Sequence, residues 1–162
     1  MKTLRYLTGL LLILVLPVAI AKETVGWVEK VRVYPGDIVL KAKIDSGAKT
    51  SSLNCGCTNL IKRDGEKWVS FTITNYKGDE IRLERKLERI AKIKRHFGEA
   101  QERFVVKLGV CLGNTYKETE VNLIDRSGLN YQMLIGRSFL QDSHVIDPAV
   151  TFSRTPDCKQ AP

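Results

Sequence analysis

Asp45-Ser46-Gly47-Ala48 is the part of this sequence best suited to chemistry. A carboxylate that must aim at a partner needs a tight loop after a rigid strand. Gly47 allows close backbone approach where a Cβ would collide. Ser46 brings a hydroxyl that can hydrogen-bond across to a facing loop. The apolar run Ile38 to Ile44 fixes the entry. Such a carboxylate can activate water against a peptide carbonyl when a second, protonated carboxyl hydrogen-bonds the carbonyl oxygen. Two carboxyls about 3 Å apart cannot both ionise, so they share a proton and titrate as a pair. Asp125-Arg126-Ser127-Gly128 lacks a hydroxyl residue directly after the acid. The second Asp is therefore expected from another copy of the chain, with Asp45 facing its counterpart across a twofold axis.

Short β segments separated by turn residues must position this loop. Val25 to Val33 and Ile38 to Ile44 flank Pro35-Gly36-Asp37, a turn signal. Trp68 to Thr74 alternates apolar and polar residues, and Asn75 to Asp79 can turn it back into Glu80 to Leu83. Arg103 to Leu112 and Tyr116 to Ile124 bracket Gly113-Asn114 as a second hairpin. Gln132 to Ile135 reads as a short apolar strand, and Arg137 to Asp142 as a helical turn. Many short strands and little helix predict an all-β barrel or sandwich. Leu134-Ile135-Gly136 supplies a second motif, since a strand ending in Gly can cross closely behind the Asp45 loop. It lies 91 residues after Asp45, which leaves room for a flap hairpin, here Trp68 to Leu83.

Three blocks carry a resemblance. They are Ala42 to Leu53 (AKIDSGAKTSSL), Gly98 to Leu108 (GEAQERFVVKL) and Asp125 to Leu140 (DRSGLNYQMLIGRSFL), the last followed by Val145-Ile146-Asp147-Pro148. Together they resemble the bacterial retropepsin-like aspartic peptidase family, formerly named ATP-dependent zinc proteases, over roughly Gly26 to Phe152. The resemblance implies an acid-protease barrel: a single lobe with a flap hairpin and little helix. It also implies an endopeptidase with Asp45 as the catalytic residue, Ser46, Gly47 and Ala48 as its loop, and Leu134, Ile135 and Gly136 as the loop's support. Two features depart from the family pattern. Ser46 stands where Thr is usual, and Lys94-Arg95-His96-Phe97 replaces a polar stretch. The old zinc and ATP name finds no residues here, since neither H-E-x-x-H nor G-x-x-x-x-G-K-[ST] occurs. No cofactor and no metal is expected.

The remaining features concern setting and partners. Lys2 and Arg5 precede Leu7 to Ile20, a run free of charge that ends in Ala19-Ile20-Ala21. This layout predicts a signal peptide over 1–21, a domain over 22–162 with its core at 26–152, and a periplasmic or secreted location. The run is short of the roughly 20 apolar residues of a membrane span and contains Pro17, so no stable span is expected after cleavage. Export predicts disulfides among Cys55, Cys57, Cys111 and Cys158. Cys55 and Cys57 are too close to pair with each other without strain, so each is expected to reach Cys111 or Cys158.

The 162 residues carry a formal net charge of +8. Basic residues concentrate in Arg82 to Arg95, read as an exposed hairpin arm with Ile81, Leu83, Leu87, Ile90 and Ile93 turned inward. No aromatics interleave with them, and no nucleic-acid partner is expected. Trp27 and Trp68 read as core or flap packing. Lys49 and Arg137 read as substrate contacts or surface residues. A Ser143–His144–Asp142 set is discounted because adjacent residues rarely converge. The expected partner is a peptide or protein substrate, with a likeness of itself completing the site. The alternatives are a non-catalytic binding module of the same fold and a metal-binding envelope protein using Cys55, Cys57 and His144.

Overall fold

The computed structural model describes residues 21–93, 100–125 and 127–162, without the side chain of Cys57. Residues 1–20 of the expected leader and Lys94 to Phe97 therefore lie outside the described residues. Among the described residues eleven strands and one helical turn follow one another: β1 (Glu23–Tyr34), β2 (Ile38–Ile44), β3 (Ser51–Asn54), β4 (Gly56–Arg63), β5 (Glu66–Thr74), β6 (Glu80–Lys86), β7 (Arg89–Ile93), β8 (Gln101–Leu112), β9 (Thr115–Ile124), β10 (Met133–Ile135), α1 (Arg137–Leu140) and β11 (His144–Thr151).

Six strands close into a mixed barrel in the order β1-β2-β10-β3-β9-β8, because β1 pairs both with β2 and with the far half of β8. β11 and β7 extend this sheet at its two ends. The fold is the retropepsin-like barrel that the sequence implies. Alternating apolar residues fill the interior: Val31, Val33, Leu40, Ala42, Val106, Leu108, Met133 and Ile135 are buried, with Phe139 of α1 closing one end. β4, β5 and β6 form a separate three-stranded sheet that adds Val69, Phe71, Ile73 and Leu83 to the same core.

The basic stretch is not one arm. It runs from β6 to β7 in two different sheets, with Leu87 N donating to Lys67 O and Glu88 N to Val105 O at the crossing. Ile90 is 43% exposed rather than turned inward, because Ala91 is the β7 residue that faces the core. β7 is also an end strand, with β8 as its sole ladder partner among the described residues.

Beyond β11 the chain runs back along β1. The buried Glu29 carboxylate accepts hydrogen bonds from Gly26 N, Ser153 N, Ser153 Oγ and Arg154 N. Asp157 N then donates to Gly113 O, which brings Cys158 to Cys111 at the end of β8. These two cysteines form a disulfide. The expected bridges from Cys55 and Cys57 to this pair are therefore incorrect. Cys55 is a buried free thiol between β3 and β4, and burial pushes its pKa up to about 11.

His144 is buried at the start of β11. Its ring stacks on Phe139, Nδ1 hydrogen-bonds Ser143 Oγ at 2.8 Å, and Nε2 lies 3.9 Å from Glu23 Oε2. Serine and histidine thus do meet, but in the packed interior rather than at a cleft.

Two stability predictions follow from these contacts. The disulfide closes a loop across 47 positions, so Cys158→Ser should lower the unfolding free energy by about 3 kcal/mol in urea titrations. A reductant should reproduce the loss in the parent protein and leave the variant unchanged. Burial holds the His144 imidazole below its usual range, so the unfolded chain takes up the proton first as pH falls. Stability should fall between about pH 7 and pH 5.5, and His144→Gln should flatten that slope.

Candidate active site

Asp45 follows directly on β2. Its backbone N–H donates to Ile135 O at 2.9 Å, extending by one residue the parallel ladder that pairs Ile44 with Ile135. The chain then turns. Gly47 N donates to Asp45 Oδ1 at 2.9 Å, which fixes the carboxylate's rotation. Asp45 is half-buried, while Ser46 and Gly47 are exposed. The loop thus offers the carboxylate and the serine hydroxyl outward.

β10 and α1 hold this loop from behind. Arg137 N donates to Ala48 O at 2.8 Å, and Ser138 N and Oγ donate to Lys49 O at 3.0 and 2.8 Å. Gly136 N donates to Ser51 Oγ at 3.1 Å. A Cβ on Gly136 would lie 2.8 to 3.0 Å from Thr50 C, Lys49 O and Ala48 O. All three are backbone atoms with little freedom to yield, so Gly is required there. Ile135 is buried beneath the loop, and Leu134 is half-buried on the opposite face of the sheet.

Arg137 has a role that the sequence reading did not assign. Its Nη1 donates to Ser46 O at 2.7 Å and to Gly47 O at 2.9 Å. The guanidinium therefore braces the backbone of the Asp45 loop. The following helical turn is anchored by Lys117, whose Nζ donates to Phe139 O at 2.7 Å, Gln141 O at 3.2 Å and Ser143 Oγ at 2.9 Å. Burial lowers the pKa of this ammonium. A lysine on a β-hairpin gives no sequence signal that it will cap a turn more than twenty residues later.

A groove of about 700 Å³ lies beside the loop, between Lys49, Thr50 and Ser138 on one side and β7 on the other. Arg89 of β7 pairs with Glu120 at 2.6 Å in its wall. This neighbouring hairpin is β7–β8, so the expected flap, Trp68 to Leu83, is misplaced. The β5–β6 turn instead packs by the start of β2, where Ile81 fills the space over Gly36 and Tyr76 lies under Lys41 Nζ at 4.9 Å. Ile38 is roughly 20 Å from Asp45 along the strand. Trp27 is 39% exposed and meets Tyr131 edge-on at 6.2 Å, so it is not core. Trp68 is half-buried, with Arg63 over its ring.

Among the described residues, which leave out the Cys57 side chain, the metal-binding alternative finds no assembled site. Cys55 accompanies Ile124 at the far end of β3, whereas His144 sits beside Glu23. Among the described residues, no three His, Cys, Asp or Glu side chains gather to hold an ion.

A family model described as the retropepsin-like aspartic endopeptidase RimB matches residues 24–157. The chain belongs to this RimB-like family. Relatives named probable alpha-L-glutamate ligase are 36% identical over 116 residues in Shewanella pealeana and 35% identical over 136 residues in Desulfotalea psychrophila. These matches cover 70% and 81% of this chain but 25% and 29% of the relatives, so the chain spans about a quarter of their length. A crystal structure of a Legionella pneumophila protein of unknown function superposes with a TM-score of 0.72 at 30% identity. It covers 82% of this chain and 98% of that one.

The tight contact behind the loop makes a direct prediction. Gly136→Ala should cost about 1–3 kcal/mol in unfolding free energy. Gly128→Ala, where a Cβ would meet nothing within 4 Å, should stay within about 0.5 kcal/mol. Chemical denaturation of both variants checks the contrast.

Proposed function

We propose that this chain is one half of an exported aspartic endopeptidase. Two copies would bring their Asp45 carboxyls together about a twofold axis. One, ionised, takes a proton from water; the other, protonated, hydrogen-bonds the scissile carbonyl. The water oxygen bonds to the carbonyl carbon, the C–N bond breaks, and the departing amine takes up a proton. The observation that carries this reading is the braced loop. Asp45 Oδ1 is held by Gly47 N, Asp45 Oδ2 has no partner among the described residues, and Ser46 stands exposed beside it.

Two further supports bear on substrate and place. The relatives are named for a ligase of α-L-glutamate, and a hydrolase related to part of such a protein suits peptide bonds in glutamate-bearing chains. The net charge of +8, which becomes +6 once Lys2 and Arg5 leave with the expected leader, favours an acidic substrate in the same sense. The Cys111–Cys158 disulfide and the expected leader, in which Lys2 and Arg5 precede the charge-free run Leu7 to Ile20, suit an oxidising compartment outside the cytoplasm.

Asp45→Asn should reduce cleavage of a glutamate-rich peptide by about a thousandfold or more, with an unchanged circular dichroism spectrum and urea midpoint. Sedimentation of the parent protein at micromolar concentration should show a dimer. Undiminished cleavage by Asp45→Asn would sink the hydrolase reading. A strict monomer that binds such peptides without cutting them would leave a binding module of the same fold.

A further inference from the structure

Lys43 is an exposed cation beside the proposed site that none of the contacts described above uses. Along β2, Ala42 and Ile44 point into the core, Lys43 is exposed, and Lys41 is half-buried. Residues two apart on a strand share a face, and the ladder continues through Asp45 N to Ile135 O. Lys43 and Asp45 therefore project from one face, with Cα atoms about 6.6 Å apart. A lysine side chain spans that interval.

The neighbours of Lys43 on this face are fixed by register. Val28 of β1 and Leu134 of β10 pair directly with it, and Ser52 of β3 pairs with Leu134. Val28 and Ser52 are buried and Leu134 is half-buried. The face next to Asp45 is thus built from buried Val28 and Ser52 and half-buried Leu134 around the exposed side chain of Lys43. Of the other cations near the site, Arg89 pairs with Glu120, Lys92 pairs with Glu102 and Arg137 donates to the loop carbonyls, while Lys49 lines the groove that Glu120 also borders. Lys41, next outward on the same face, lies against the rings of Tyr76 and Phe152. Among the described residues Lys43 has no carboxylate partner. The nearest buried acid by register, Glu29, is committed to the backbone of Ser153 and Arg154.

We infer that Lys43 is a specificity-determining residue whose ammonium receives a carboxylate of the bound peptide beside the bond to be cut. This rests on the hydrolase reading only in supposing that the peptide lies against Asp45. The carboxylate can come from an acidic side chain or from a free chain end, and the two sources are separable.

The test uses the full chain carrying Asp45→Asn and fluorescein-labelled decapeptides. A glutamate is moved one position at a time and compared with glutamine, and each peptide is made as free acid and as amide. Fluorescence anisotropy should give about tenfold tighter binding for glutamate over glutamine at one position. Lys43→Met should erase that ratio, Lys43→Arg should keep most of it, and Lys62→Met on β4 should leave it intact. A ratio that follows the free chain end instead of the side chain identifies the terminal carboxylate as the group bound. A ratio that survives Lys43→Met, or an absence of any ratio or binding with Lys43 present, overturns the inference. Cleavage by the parent protein is measured in parallel. Cleavage without a Lys43-dependent ratio removes this inference alone, whereas the ratio without cleavage removes the hydrolase reading alone.

Discussion

The close approach of Gly136 to the Asp45 loop is the constraint on which the site depends. Two segments 91 residues apart in sequence meet backbone to backbone, with no room for a Cβ between them. The approach lets Arg137 N and Ser138 N satisfy the carbonyls of Ala48 and Lys49, which would otherwise be left unpaired at a turn. Everything that aims the carboxylate follows from that junction. The ladder from Ile135 fixes the start of the loop, and the Arg137 guanidinium fixes its crest.

The rest of the barrel keeps this junction in register. β10 is three residues long and would not persist alone. It is held between β2 and β3, parallel to one and antiparallel to the other, with Met133 and Ile135 buried. Lys117 ties the following helical turn to β9, so the segment carrying Gly136 and Arg137 is anchored at both ends. At the other end of the chain, Glu29 and the disulfide fasten the tail over β1, beside the strand that feeds Asp45. Among the described residues this junction presents a single carboxylate, that of Asp45, and the proposed two-carboxyl chemistry therefore calls on a second copy of the chain.

The local signals in the sequence were strong where a single element sufficed. The alternation of Ile38 to Ile44 and the turn residues of Gly113-Asn114 gave the observed strand and hairpin, because each pattern is set by neighbours on the same segment. β3, β4 and β11 have no counterpart among the expected strands, and β7 is expected only as part of a single hairpin arm. They are mostly polar or exposed, and exist because a neighbouring strand offers its hydrogen bonds. Ile90 illustrates the limit, since its apolar type suggested burial while its place on an end strand leaves it exposed.

The sequence by itself determined the loop chemistry, the supporting Leu134-Ile135-Gly136 strand, the barrel class and the family resemblance. These rest on residue types that only certain backbone conformations accept. Tertiary structure alone decided which hairpin borders the groove, which cysteines join, and that Arg137 braces the loop. Each of those facts depends on contacts between segments far apart in sequence. Such contacts are set by strand order and register, which no local pattern encodes.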